Sequence, residues 1–157
     1  MQNPEQYLEE CGIEYELYEH PAVMTCDEAA AHDIPGLSCK NLFLRDKKGR
    51  RFLLLVVPAS KRVDLGRLAE LAGEKKLSFA SEENLREKLG LSSGAVSVFG
   101  LLNDANGDVE LFLDQEVSGA NSVSFHPNRN TASLVLSREM FQKYLDCIDH
   151  TANDLIL

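Results

Sequence analysis

The sequence predicts an α/β fold: a single domain over residues 1–157 with a mixed central β-sheet of about six or seven strands surrounded by helices. Three observations carry this. Residues 40–57 hold two apolar runs around Asp46-Lys47-Lys48-Gly49-Arg50, a short polar connection with the glycine that a hairpin turn favours. The second run is apolar at six consecutive positions, too dense for a strand with one wet face, and so predicts a central strand covered on both sides. Helical and strand-like segments then follow one another without the regular βαβ succession of a doubly wound nucleotide fold.

Pro4 to Cys11 reads as a short helix, with Tyr7, Leu8 and Cys11 on one side and Gly12 as its stop. Ile13 to Tyr18 alternates apolar and acidic residues, the period of a strand with one wet face, and His20-Pro21 breaks it. Thr25-Cys26-Asp27-Glu28 fits a capping box that opens a helix over Cys26–His32. Ala22, Val23 and Met24 before it suit either a hydrophobic staple or the lining of a small apolar pocket. After the hairpin, Asp64 caps a helix through Leu71 that Gly73 ends, Leu77–Ala80 is a short strand, and Ser81 caps a helix over Glu82–Leu89. Residues 92–100 form a small-residue loop in which Gly94 and Gly100 bracket a possible short strand. Such a loop serves as a tight connection, or lets backbone amides approach a ligand. Asn103–Asp108 is a turn, Val109–Leu113, Ser122–Phe125 and Thr131–Leu136 are strands, and Ser137 caps a last helix over Arg138–Asp149.

A chain of 157 residues can bury roughly 70% of its unfolded surface, and 44% hydrophobic with 26% charged residues is the balance of a soluble globular protein. No apolar run approaches the ~20 residues of a membrane span and the start lacks the basic residues of a signal peptide, so the expected location is the cytoplasm. There the four cysteines, none in a C-x-x-C pair, read as free thiols. No metal is expected, since the acidic turn at 103–108 lacks the spacing and closing glutamate of a calcium loop; no cofactor is expected either. The net charge of −9 argues against a nucleic-acid partner until its distribution is followed. Residues 1–39 hold nine Asp/Glu and no Lys/Arg, whereas residues 40–76 hold eleven Lys/Arg against four Asp/Glu. That cationic block is either a solvated hairpin tip or the footprint of a polyanion.

The sequence has no G-x-S-x-G elbow, no H-E-x-x-H and no phosphate loop of the G-x-x-x-x-G-K type. Cys39 beside Lys40 is a conceivable thiolate, but neighbouring residues on a strand point to opposite faces. The polar candidates are Lys40, Asn41, His126 and Asn128, with Thr25 and the 94–100 loop; Lys40 opens one strand and His126 closes another.

These residues carry a resemblance. Tyr18-Glu19-His20-Pro21-Ala22-Val23-Met24-Thr25, Lys40-Asn41-Leu42-Phe43-Leu44-Arg45-Asp46, Leu77-Ser78-Phe79-Ala80, Gly94-Ala95-Val96-Ser97, Gly100-Leu101-Leu102-Asn103-Asp104 and Phe125-His126-Pro127-Asn128 occur in order over nearly the whole chain. The chain resembles the YbaK/ProX family of aminoacyl-tRNA deacylases, related to the editing domain of bacterial prolyl-tRNA synthetase, and its ProX branch more than the branch acting on cysteinyl-tRNA. The resemblance implies hydrolysis in trans of the ester of mischarged tRNA, most of all alanine on proline tRNA. Its partner would be the tRNA acceptor end, with prolyl-tRNA synthetase or an elongation factor as a further partner and no membrane. It implies that Lys40 holds the terminal adenosine and its phosphate, with Asn41 beside it. The backbone at Gly94, Ala95, Val96 and Ser97 would lie near the scissile ester, and His126 near the aminoacyl group, positioning either the α-amino group or the water. Val23, Met24, Thr25 and Phe125 would shape the amino-acid pocket. The loop departs from the family pattern at Val98, where a proline is usual. Alternatives are a non-catalytic regulatory or synthetase-binding module of the same fold, a deacylase for another small amino acid such as cysteine, and a small-ester hydrolase using Cys39.

Overall fold

The computed structural model describes residues 3–21, 35–92, 95–129 and 131–157; the helix expected over Cys26–His32 lies outside them. Helix α1 (Pro4–Glu10) is capped by Asn3, whose side chain accepts from the Gln6 N–H, and has its proline where no amide donor is needed. Strand β1 (Glu16–Glu19) starts later than the alternating pattern predicts. Ile13 is buried, but it is reached through a turn in which its N–H donates to the Leu8 carbonyl.

The predicted hairpin is present as β2 (Leu37–Asp46) and β3 (Phe52–Pro58), paired antiparallel from Cys39↔Pro58 to Arg45↔Phe52. Its turn is fastened by the Asp46 carboxylate, which accepts from the Arg50 and Arg51 N–H groups at 2.7 and 3.1 Å. Those donors, Arg51 foremost, hold the Asp46 carboxyl below the usual carboxylate range. Gly49 takes the left-handed backbone (φ 69°) that the turn demands.

Next come α2 (Leu65–Ala72), capped by Asp64; β4 (Leu77–Phe79); and α3 (Glu82–Leu89), where Asn84 completes the box with Ser81. The short strand considered between the two glycines of the small-residue loop is instead a 3₁₀ helix, Val98–Asn103. A Cβ on Gly100 would lie 2.6 Å from Leu91 Cδ1, so this glycine answers to helix packing rather than to a ligand. The chain ends with β5 (Val109–Asp114), one-turn α4 (Gln115–Ser118), β6 (Ser122–Phe125), β7 (Ala132–Ser137), Ser137-capped α5 (Arg138–Cys147) and β8 (Ala152–Leu155). Neither α4 nor β8 is predicted by the sequence patterns, and the sheet accordingly has eight strands where six or seven were expected.

The sheet order is β1-β7-β6-β2-β3-β5-β8, with β4 also joined to β2, and it is mixed: β3–β5, β5–β8 and β2–β6 are parallel, the rest antiparallel. All seven residues of β3 are buried. Phe52, Leu54 and Val56 enter the larger core with residues of α1, α3, the 3₁₀ helix, α4 and α5, while Leu53, Leu55 and Val57 enter a smaller core under α2. Each such side chain contributes roughly 1.5–3 kcal/mol of burial.

Beside β3, one edge of β2 is treated differently. It meets β6 only at Leu37 and Ser38, and β4 only from Leu44 to Asp46. Among the described residues, no strand pairs with that edge between these two stretches. The sheet therefore has a gap at Lys40–Leu42.

Candidate functional site

Lys40 and Asn41 lie in this gap, just past the last pairing of β2 with β6. The parallel register Ser38↔Ser124 brings Lys40 and His126 to the same level, each two residues beyond a paired position. Strand pleat sends Lys40 to the α2 side, with Leu44, and Asn41 to the side of Cys39 and Phe43. One ligand can meet both only from the open edge.

Lys40 is half-buried and has neither a carboxylate nor a hydrogen-bond acceptor as partner among the described residues. The Asn41 Oδ1 is buried and also without a partner. A buried acceptor left unpaired costs about 1–3 kcal/mol, which a ligand donor would recover.

His126 is half-buried, and its Nδ1 lies 2.9 Å from the Ala132 carbonyl. A carbonyl only accepts, so Nδ1 carries the proton and the neutral ring presents Nε2 as an acceptor. The His20 ring stands edge-on to it at 6.1 Å. His20 Nδ1 lies 2.8 Å from the Pro21 carbonyl, which makes it the donor, and Nε2 accepts from the Ser133 hydroxyl at 2.9 Å. His20 and Ser133 thus support His126 from β7, a role sequence reasoning missed. The available signal was His20-Pro21 within a block that carries the family resemblance. Past His126, Asn128 adopts a left-handed backbone (φ 61°), and both polar atoms of its buried carboxamide lack partners.

The 95–97 backbone leads into the 3₁₀ helix, which packs on β6 through its aromatic residue. Phe99 meets Phe125, the residue before His126, edge-to-face at 5.9 Å. Within the loop the N–H of Ala95 donates to the Ser92 carbonyl at 3.1 Å, which removes it from the set expected near the ester. The N–H groups of Val96 and Ser97 have no acceptor among the described residues. The Ser97 hydroxyl accepts from the Phe99 N–H at 3.1 Å, so the side chain is a helix cap, and the whole residue is buried at 0% exposure.

Phe125 was expected to shape the amino-acid pocket, yet it is 2% exposed and packed between Phe99 and Phe141. Cys39 is buried with its thiol donating to the Leu37 carbonyl, and burial pushes its pKa up to about 12 despite the Ser124 N–H. A thiolate nucleophile there is ruled out by that burial. Val23, Met24, Thr25 and Gly94 lie outside the described residues. Among the described residues, no three His, Cys, Asp or Glu side chains gather as a metal site would require.

The arrangement can therefore hold an anion on a lysine, orient a polar group with free carboxamides, and offer an imidazole acceptor and the half-buried Val96 amide to a developing oxyanion. Known proteins share this framework. A family model described as an aminoacyl-tRNA editing domain matches residues 20–144. Prolyl-tRNA editing protein ProX of Acetoanaerobium sticklandii is 43% identical over 146 residues, covering 92% of this chain and 89% of that protein. Prolyl-tRNA synthetase associated domain-containing protein 1 of Bos taurus is 36% identical over 159 residues, covering 98% and 91%. Among solved structures, hypothetical protein APE2540 superposes with a TM-score of 0.75 at 22% identity over 98% of each chain, which establishes likeness of fold.

Proposed function

Because the chain belongs to the aminoacyl-tRNA editing domain family, we propose that it hydrolyses in trans the ester of mischarged aminoacyl-tRNA, with alanine on proline tRNA as its principal substrate. The observation that carries this reading is the gap among the described strands, where Lys40 has no described partner, the buried Asn41 Oδ1 is unpaired, and the β2–β6 register brings His126 level with Lys40.

An aminoacyl ester is already activated, so the site has to orient a water and stabilise the oxyanion without a protein nucleophile. Lys40 holds the terminal adenosine and its phosphate, and Asn41 fixes the sugar or base edge beside it. Water adds to the carbonyl carbon while the Val96 N–H group takes the charge on the carbonyl oxygen. The water's proton passes through the vicinal ribose hydroxyl to the departing ribose oxygen as the carbon–oxygen ester bond breaks. This releases the free amino acid and intact tRNA. The Nε2 of His126 accepts a hydrogen bond from the α-ammonium group or from the water and so positions it. The resemblance assigns the choice of alanine over proline to Val23, Met24 and Thr25. A synthetic site separates substrates differing by one methylene by only ~1–3 kcal/mol, which is why a second, hydrolytic sieve raises accuracy. The reaction belongs in the cytoplasm, with prolyl-tRNA synthetase or an elongation factor handing over the tRNA.

The test is a panel of mischarged tRNAs assayed for ester hydrolysis. Fastest release of alanine from proline tRNA is the expected result. Faster release of cysteine would move the protein to the cysteinyl-tRNA branch, and no release from any member would leave a binding module.

A further inference from the structure

The cationic block at 40–76 is not spent evenly. Arg51 pairs with Glu74 and Glu110, and Lys61 with Asp114 and Glu116, so these two cations tie the fold together. Arg45, Lys47 and Lys76 have no carboxylate partner among the described residues, although the Arg45 guanidinium donates to the Asp46 and Lys47 carbonyls and to Asn84 Oδ1, which hold it in place with its charge unneutralised. They converge on a groove of about 420 Å³ completed by Ser78, Phe79 and Ser81, with no acidic residue among those six lining it. In a chain of net charge −9 that local composition is unusual.

Phe79 is the second observation. It ends β4, whose only strand partner among the described residues is β2, and it is 61% exposed, whereas Leu77 on the same strand is 4% exposed and anchors β4 in the smaller core. Lysines beside an edge strand have an ordinary explanation, since charge there discourages pairing with another chain. An exposed phenyl ring on the same edge works against that purpose. Ring and cations together match the two needs of an unpaired nucleotide stretch, a face for a base and positive charge for the flanking phosphates. Along β2, Arg45 lies roughly 17 Å from Lys40 at ~3.3 Å per residue and on the opposite face of the strand, so an RNA chain engaging both passes around the open edge.

Resting on the reading of the Lys40 gap as the acceptor-end site, we infer that this groove is a second contact for the same tRNA. In it Phe79 stacks on an exposed base while Arg45, Lys47 and Lys76 hold the neighbouring phosphates. The groove sets affinity for the RNA; the gap performs hydrolysis.

Two measurements on the full chain separate the parts. Anisotropy of labelled, uncharged proline tRNA reports binding without chemistry, and kcat/KM is compared between full-length Ala-tRNA and a short CCA-terminal fragment carrying alanine. Phe79→Ala should weaken tRNA binding about tenfold, and Phe79→Trp should restore it. Lys76→Glu should weaken it as well and reduce the log–log salt slope by about one. Both should lower kcat/KM on full-length tRNA and leave the fragment unchanged. Unchanged affinity and salt slope in both variants would overturn the inference, as would equal losses on fragment and full-length tRNA. So would a change confined to self-association in sedimentation. Should Phe79→Ala fail to fold, Phe79→Trp and Lys76→Glu decide by the same criteria. A wild-type protein that binds tRNA through the groove but hydrolyses nothing would sink the proposed function while leaving the groove standing.

Discussion

β3 and the Lys40–Leu42 stretch of β2 lie side by side, with Lys40 opposite Val57 and Leu42 opposite Leu55, yet they are built for opposite ends. β3 has a strand on either side and apolar neighbours on both faces, so its backbone and side chains are fully committed to the fold. Among the described residues its neighbour has an open edge, an unpaired ammonium and an orphaned amide oxygen. The rigid strand supplies the fixed frame from which unpaired groups can be held out to a ligand. Stability and chemistry are thus separated by a single strand spacing.

That separation can be broken experimentally. Leu54→Ala, in the closed half, should cost about 2–5 kcal/mol of stability in denaturant melts and leave the kcat/KM of the remaining folded protein near wild type. Lys40→Ala, in the open half, should do the reverse: a loss of about 100-fold in deacylation, the scale of a charge-assisted contact, with an unchanged melt. His126→Ala should lower activity about tenfold or alter amino-acid choice, read from the panel of mischarged tRNAs. Asp46→Asn probes the hairpin turn. Because the folded carboxyl is held below its unfolded value, its stabilisation is present above about pH 4 and fades as the pH falls through the lower folded value. Wild type should therefore melt above the variant at pH 7, and the gap should close in acid. The smallest effect belongs to Cys39→Ala, which should keep activity within about twofold, since a thiol pushed up to about 12 carries no thiolate at neutral pH.

The closed half was the legible one. Continuous apolar residues at 52–57 announce a central strand, and Asp64, Ser81 and Ser137 mark helix starts because each side chain accepts from an amide of the first turn. β8 escaped because Ala-Asn-Asp-Leu shows neither alternation nor apolar density; it is a strand through its parallel pairing with β5, supported by the Asn153 side chain donating to the Leu111 carbonyl. In the open half, His126 follows the end of β6 as the sequence suggests, whereas Lys40, expected to open its strand, is the fourth residue of β2 because the strand starts at Leu37 through pairing with β6. The gap itself could not be read from the sequence, because it exists only where β6 and β4, contributed by distant parts of the chain, both stop short on the same edge of β2. Ala95 shows the same limit: its amide is consumed by Ser92, a local bond that no residue pattern declares.

The most direct test is a ¹⁵N NMR titration with a non-hydrolysable alanyl-adenosine carrying an amide in place of the ester. The open edge as binding site predicts that amide shifts concentrate at Lys40–Leu42, Val96–Ser97 and His126–Asn128, with β5 and β8 silent. Shifts gathered along β5 and β8 instead, with the Lys40 and His126 amides unmoved, would contradict it.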